Sequence, residues 1–395
     1  MTSGFLNRKP EFSRPIYLVR PFLPQRKELN PILDTLYSSR VLSNNGPFVQ
    51  RLEESLTRYL RVKYVVAVTS ATLGMQLVIR GLGLKGEVIL PSFTFIATAH
   101  AMSWEGLRPV FADIEAQHLG IDPESVKRRI NSRTSAIVGV HLFGNPCAIA
   151  ELEALAKKHN LVCLFDSAQA MGSEYLSKRV GAFGRAEVFS LHATKIVHGL
   201  EGGFIATNDA KLYERLRYYR NFGFQGYDRV VSLGINAKLN EFSAAIAWSS
   251  LQHLPQQIAA NKRVHQMYRK ALMGLPGIRP IAARPGCRIN FNSFPILIEA
   301  EYGVSRDRLC DVLWKNNILA RRYYYPGCHR QAPYKSRRQP GDLTNTETIS
   351  ANILSLPCYS TLEPREIAKI VNVLQLAHEN RMTVMKSYAA RSLQN

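Results

Sequence analysis

From about residue 48 to residue 250 the chain alternates two kinds of segment, and this alternation constrains the fold more than any other feature. FVQRLEESLTRYL spaces its apolar residues along one face of a helix. KYVVAV follows as a short β-branched strand, and TSATLGMQLVIRGLGL reads as a turn and then a helix. GEVILP and RPVFADI are strands separated by the helical FIATAHAMSWEG. TSAIVGVHLFG is a further strand, and the helix ELEALAKKHN leads into the strand LVCLFD. AEVFSL and GGFIAT complete the set. Strands this uniformly apolar are covered on both faces, so the pattern predicts an α/β fold with a large, mostly parallel sheet.

After that region the pattern changes. KLNEFSAAIAWSSLQHLPQQIAANKRVHQMYRKALMGL reads as one long helix interrupted near Pro255. NFNSFPILIE supplies a strand, SRDRLCDVLWKNN a helix opening at Ser305 as N-cap, and PREIAKIVNVLQLAHEN an amphipathic helix. A chain of 395 residues supports more than one unit. The expected organisation is an extended lead-in over 1–30, a large α/β domain over 31–254 and a smaller α+β domain over 255–395.

Composition narrows the function classes. The start, MTSGFLNRKPEFSRP, has no apolar h-region, so no signal peptide is expected. The most apolar stretch, Val65 to Leu84, is broken by Thr69, Ser70, Thr72, Gln76 and Arg80, which argues against a membrane span and a membrane partner. The six cysteines are scattered singly, so neither a disulfide framework nor a thiolate metal site is expected, and a reducing cytoplasm fits. A net charge of +21 could serve nucleic acid. The basic residues are dispersed, however, and no basic arm alternates with aromatic residues. The charge is therefore read as attracting anionic small molecules, with no nucleic-acid partner.

Four positions suggest chemistry. Lys195 follows a strand and precedes a glycine-containing loop in FSLHATKIVHGLEGG. Burial there would favour its neutral, nucleophilic form, although most lysines simply lie at the surface. Asp166 ends LVCLFD at the carboxyl edge of the sheet, where open α/β folds bind ligands. It could equally cap a following helix. Thr69-Ser70-Ala71-Thr72 joins a strand to a helix, which makes either an anion site or an ordinary cap. Phe95 offers a flat face, or a core ring. Together they supply what a phosphorylated pyridine aldehyde requires: an amine to condense with it, a carboxylate for its ring nitrogen, an anion cup and a stacking surface.

SATLGMQLVIRGL, ILPSFTFIATAHA, VHLFGNPC, LFDSAQAMG, FSLHATKIVHGLEGGFIAT and RNFGFQGYDRVVSLGINAKLNEFSAAI together resemble the DegT/StrS-type sugar aminotransferases. The similarity runs in order over about residues 40–380, and SLHATK followed by EGG is its most specific element. The resemblance implies the aspartate-aminotransferase-like fold type I of pyridoxal-phosphate (PLP) enzymes and a homodimer with active sites at the subunit interface. It implies Lys195 as the covalent cofactor lysine, Asp166 for the pyridine nitrogen, Gln169 beside the ring hydroxyl and Phe95 for stacking. Ala71, Thr72 and Ser190 would hold the phosphate, and Asn236 would reach it from the other subunit. YYYPGCHRQAPY is similar to the family's substrate loop and points to Tyr325 and His329 near the sugar, with His192 close to Lys195. Two positions depart from the family pattern: Ala71 stands where glycine is usual, and Ala148 where many relatives carry an acid. Alanine at a positive φ would alter the turn at 70–72.

The implied reaction is a ping-pong transamination from L-glutamate to a keto sugar, closest to the branch that aminates C4 of 4-keto-6-deoxy nucleotide sugars. The alternatives are a non-nucleotide ketone, such as a cyclitol or antibiotic precursor, and a PLP-binding regulatory protein without turnover.

Overall fold

The computed structural model describes residues 8–335 and 342–389. Seven of the segments read as strands form one sheet: β1 (Tyr64–Val68), β2 (Glu87–Pro91), β3 (Arg108–Ala112), β4 (Thr134–Val140), β5 (Val162–Asp166), β6 (Ala186–Ser190) and β7 (Gly203–Thr207). Their order is β1-β7-β6-β5-β4-β2-β3. Strand β7 runs antiparallel to both neighbours, and the remaining pairs are parallel. Every residue of β2 and β7 is buried. Alternate side chains serve opposite faces, as the strand period requires. Phe204 and Ala206 pack with Phe189, Leu52 and Leu56, while Ile205 packs with Val66 and Val188. Full burial of such a side chain stabilises by about 1.5–3 kcal/mol.

This topology fixes where a ligand can bind. Strands β1, β5 and β6 point the same way, so Val68, Asp166 and Ser190 end at one edge. Because β7 is reversed, it begins at that edge too, with Gly203 opposite both Val68 and Ser190. The intervening loop, which carries Lys195, is therefore held at the carboxyl end of the sheet.

Helix Ala71–Leu82 starts at the same edge, with Ser70 as N-cap accepting the Leu73 amide, and ends on Gly83 at φ 64°. The long helix expected after residue 238 is two helices, Glu241–Gln252 and Leu254–Ala271. Pro255 lies in the first turn of the second, where a missing N–H leaves no hydrogen bond broken. Ser305 stands at the N-cap position of Arg306–Lys315, but its side chain makes no capping bond. Helix Pro47–Leu60 is capped from a distance: the buried Glu241 carboxylate accepts the amides of Phe48 at 2.6 Å and Val49 at 3.1 Å.

A second sheet, antiparallel, joins Ile278–Pro280, Phe294–Ile298 and Ile353–Leu356. Tyr268, Leu309, Leu313, Ile370 and Leu374 cover it. The lead-in is part of this cluster: Phe12 and Ile16 are buried in it. Ile16 bonds to the backbone of Asn317 and Leu319 at 2.7 and 2.9 Å. The Asn317 amide donates to the Phe12 carbonyl, 305 positions away in sequence. The chain then returns to the large sheet, where Cys328 and Tyr334 pack with Phe111. Among the described residues no helix is long and apolar enough to cross a membrane.

Candidate active site

The loop between β6 and β7 is closed on itself by Leu191 N to Gly202 O at 2.9 Å and Gly199 N to Leu191 O at 2.8 Å. Two glycines make this possible. A Cβ on Gly199 would come within 2.4 Å of the Ser243 carbonyl, and one on Gly203 within 2.5 Å of the Ala71 nitrogen. The EGG motif thus lets β7 approach the start of helix Ala71–Leu82. Lys195 projects from this loop into a cavity of about 340 Å³. Burial lowers its ammonium pKa, and the negative charge of Asp166 opposes that shift.

Asp166 is held on both oxygens. Oδ2 accepts the Thr98 hydroxyl at 2.7 Å and Oδ1 accepts the Ala168 amide at 3.1 Å. The residues after it form turns rather than a helix, so the carboxylate is not a helix cap. At the start of helix Ala71–Leu82, Ser70 Oγ takes only the Leu73 amide. No hydrogen bond among the described residues takes up the Ala71 or Thr72 amide, and both residues line the cavity. Ala71 does not adopt a positive φ, so alanine fits this turn without strain.

The cavity brings together Ala71, Thr72, Phe95, Asp166, Gln169, Ser190, His192 and Lys195. The Phe95 ring is 55% exposed, which rules out the core-aromatic reading and leaves its face available. Gln169 accepts the Phe143 amide at 2.7 Å, which fixes its side chain. His192 contacts Thr194 Oγ1 at 2.9 Å and lies 3.6 Å from Glu201.

Three expected residues lie elsewhere. Asn236 is exposed and bridges to Asn221 through its backbone. Tyr325 faces an adjoining groove, with the guanidinium of Arg306 4.7 Å from its ring. His329 sits between Ser92 Oγ at 2.6 Å and Glu347 Oε1 at 3.2 Å, outside the cavity wall. The same segment instead presents Arg321, Tyr323 and Tyr324 to the cavity. Tyr324 is buried against Phe93 and Phe143, and burial raises its phenol pKa strongly. Thr98 and His141 also line the wall and carried no signal beyond Thr98 standing one helical turn after Phe95.

These groups fit a phosphorylated pyridine aldehyde. A buried amine, a carboxylate held by two donors, a helix N-terminus whose first two amides are unclaimed and an exposed aromatic face converge on one cavity. Fold and site together define a fold type I PLP-dependent enzyme. The DegT/DnrJ/EryC1/StrS aminotransferase family model matches residues 25–375, and the chain belongs to that family. It is 34% identical to the dTDP-4-amino-4,6-dideoxy-D-glucose transaminase of Shigella dysenteriae, over 92% of this chain and 99% of that protein. The structure of DesI in the presence of its TDP-sugar product is 38% identical, covers 98% of each chain and superposes with a TM-score of 0.92. Helicobacter pylori PseC, an aminotransferase involved in the biosynthesis of pseudoaminic acid, gives 0.87 at 29% identity over 93% of this chain and 100% of its own. The protein is accordingly a PLP-dependent sugar aminotransferase.

Proposed function

We propose that this enzyme transfers the amino group of L-glutamate to the keto carbon of a nucleotide-linked 4-keto-6-deoxy sugar. The observation that carries the reading is Lys195, an amine depressed by burial, in one cavity with Asp166 and the start of helix Ala71–Leu82. Its relatives support the acceptor class, since two of them are named for dTDP-linked or TDP-linked sugars.

Lys195 would hold the cofactor aldehyde, Asp166 the ring nitrogen, Gln169 the ring hydroxyl and Phe95 the ring face. Ala71, Thr72 and Ser190 would hold the phosphate. When bound, PLP supplies an electron sink that draws negative charge from the reacting carbon. Lys195 Nζ would be the base that takes the proton from the donor's α-carbon and the acid that gives it back. Asp166, anchored by Thr98 and the Ala168 amide, would supply the fixed negative charge for the ring nitrogen. His192 and the tyrosine segment border the space left for the sugar, with Tyr325 on the adjoining groove and His329 beside Ser92.

We place the enzyme in the cytoplasm as a homodimer. The segment around 222–235 exposes Tyr227 at 97%, Leu233 at 87% and Val230 at 59%, an apolar surface that a second copy would cover. Asn236 adjoins this segment and would reach the cofactor phosphate of the second copy. All six cysteines are free, which suits a reducing compartment.

The test is the visible absorbance of the PLP-loaded protein. L-Glutamate should bleach the yellow band, and a dTDP-linked 4-keto-6-deoxy sugar should restore it. A protein that takes up no PLP, or whose band returns only with an unlinked ketone such as scyllo-inosose, refutes the proposal.

A further inference from the structure

Of the described residues lining the cavity, Arg321 is the only one that brings a guanidinium. It also lines the adjoining groove of about 640 Å³, which shares Thr194 and Tyr323 with the cavity. Its surroundings differ from those of the other cations of this region. Arg306 and Arg322 both reach the Asp307 carboxylate, and Arg330 pairs with Glu347. Among the described residues no carboxylate lies within ion-pair distance of Arg321. The arginine is nevertheless held in place. Its backbone exchanges two hydrogen bonds with Ser355, at 3.0 and 2.8 Å. Its guanidinium carbon lies 4.8 Å from the Tyr323 ring centre.

A positioned cation without a counter-ion, on the wall between cavity and groove, is built for an anion that the protein does not supply. The proposed reaction offers two. The amino donor carries carboxylates and must lie in the cavity beside Lys195. The acceptor carries a diphosphate, and a cavity of about 340 Å³ that also holds the cofactor leaves that diphosphate to the groove. In a ping-pong sequence the two ligands never occupy the site together. We propose that Arg321 anchors both in turn, taking a carboxylate of the donor in one half-reaction and the diphosphate of the acceptor in the other. This inference rests on the proposed function and assigns one residue to substrate selection in both halves. The planar fork suits either anion, because carboxylate and phosphate both accept two parallel N–H bonds.

The experiment uses the PLP-loaded full-length enzyme and its Arg321→Gln and Arg321→Lys variants. Loss of visible absorbance in single turnovers gives the dissociation constant of L-glutamate and the limiting rate, and dTDP is titrated as a competitor of that step. Arg321→Gln should raise both the glutamate and the dTDP constants at least about tenfold. The limiting rate at saturating glutamate should stay within about threefold, because an anchor acts on binding. Arg321→Lys should recover part of both constants, and it replaces Arg321→Gln if the latter loses PLP or melts early. A change in only one of the two constants overturns the shared anchor, as does a change in neither. A wild-type enzyme that ignores glutamate and dTDP alike overturns the proposed function and this inference with it. A wild-type enzyme that responds to both, and is matched by Arg321→Gln, overturns the anchor alone.

Discussion

Replacing Glu241 by glutamine should destabilise the enzyme by about 3 kcal/mol without touching the cavity. Helix Pro47–Leu60 begins with a proline that has no N–H to satisfy, so its first orphan donors are the amides of Phe48 and Val49. Both are taken by the Glu241 carboxylate, at 2.6 and 3.1 Å. The glutamine side chain has the same shape, so no void opens. It keeps one oxygen and turns an NH2 group toward the second amide. One charge-assisted bond, worth about 1.5–3 kcal/mol, is lost and the other becomes neutral. Loss of the negative charge at the helix N-terminus adds about 0.3–1 kcal/mol. The measurement is urea unfolding at neutral pH, followed by circular dichroism and tryptophan fluorescence, with an unchanged slope. A midpoint equivalent to less than about 0.5 kcal/mol of change would refute the capping argument. Gly46→Ala provides an independent check, since its Cβ would come within 2.7 Å of the Glu241 carboxyl carbon. It should destabilise in the same assay.

Lys195→Ala should abolish glutamate-dependent bleaching while leaving the circular dichroism spectrum intact; retained turnover would sink the assignment. Gly203→Ala should destabilise by about 1–3 kcal/mol and weaken PLP retention, because its Cβ meets the Ala71 nitrogen at 2.5 Å; a dialysis-resistant cofactor would contradict this. The Lys195 pKa is lowered by burial, so its neutral amine should persist to lower pH than that of an ordinary lysine. Asp166 raises that pKa, so Asp166→Asn should shift the titration further down. Competitive acylation of the apo-protein, read by peptide mass against pH, checks both directions, and an upward shift in the variant would be incompatible with the geometry.

The strands of the large sheet were legible because burial on both faces leaves a continuous apolar run, and Asp166 and Lys195 were legible because they follow such runs. The loop of tyrosines was not. Tyr323, Tyr324 and Tyr325 are chemically identical neighbours, and only the path of the backbone decides that Tyr324 faces the cavity, Tyr325 the groove and Tyr323 both. The contact of His329 with Ser92, 237 positions earlier, was not legible, because nothing local in the sequence reveals it. Thr98 was overlooked because its role depends on a hydroxyl meeting Asp166 across the sheet edge. Glu241, at the end of NAKLNE, was read as part of a family block, and its capping work on a helix 192 residues upstream has no local signature.

The order in which the chain leaves the ribosome gives the packing of Phe12 and Ile16 a further meaning. The large sheet can condense once residue 207 has emerged, with every strand partner already synthesised. The segment around Phe12 and Ile16 cannot, because the group that holds the Phe12 carbonyl arrives 305 positions later. The N-terminal segment therefore waits unpaired while the large sheet forms, and it docks only after the segment around Asn317 has been made.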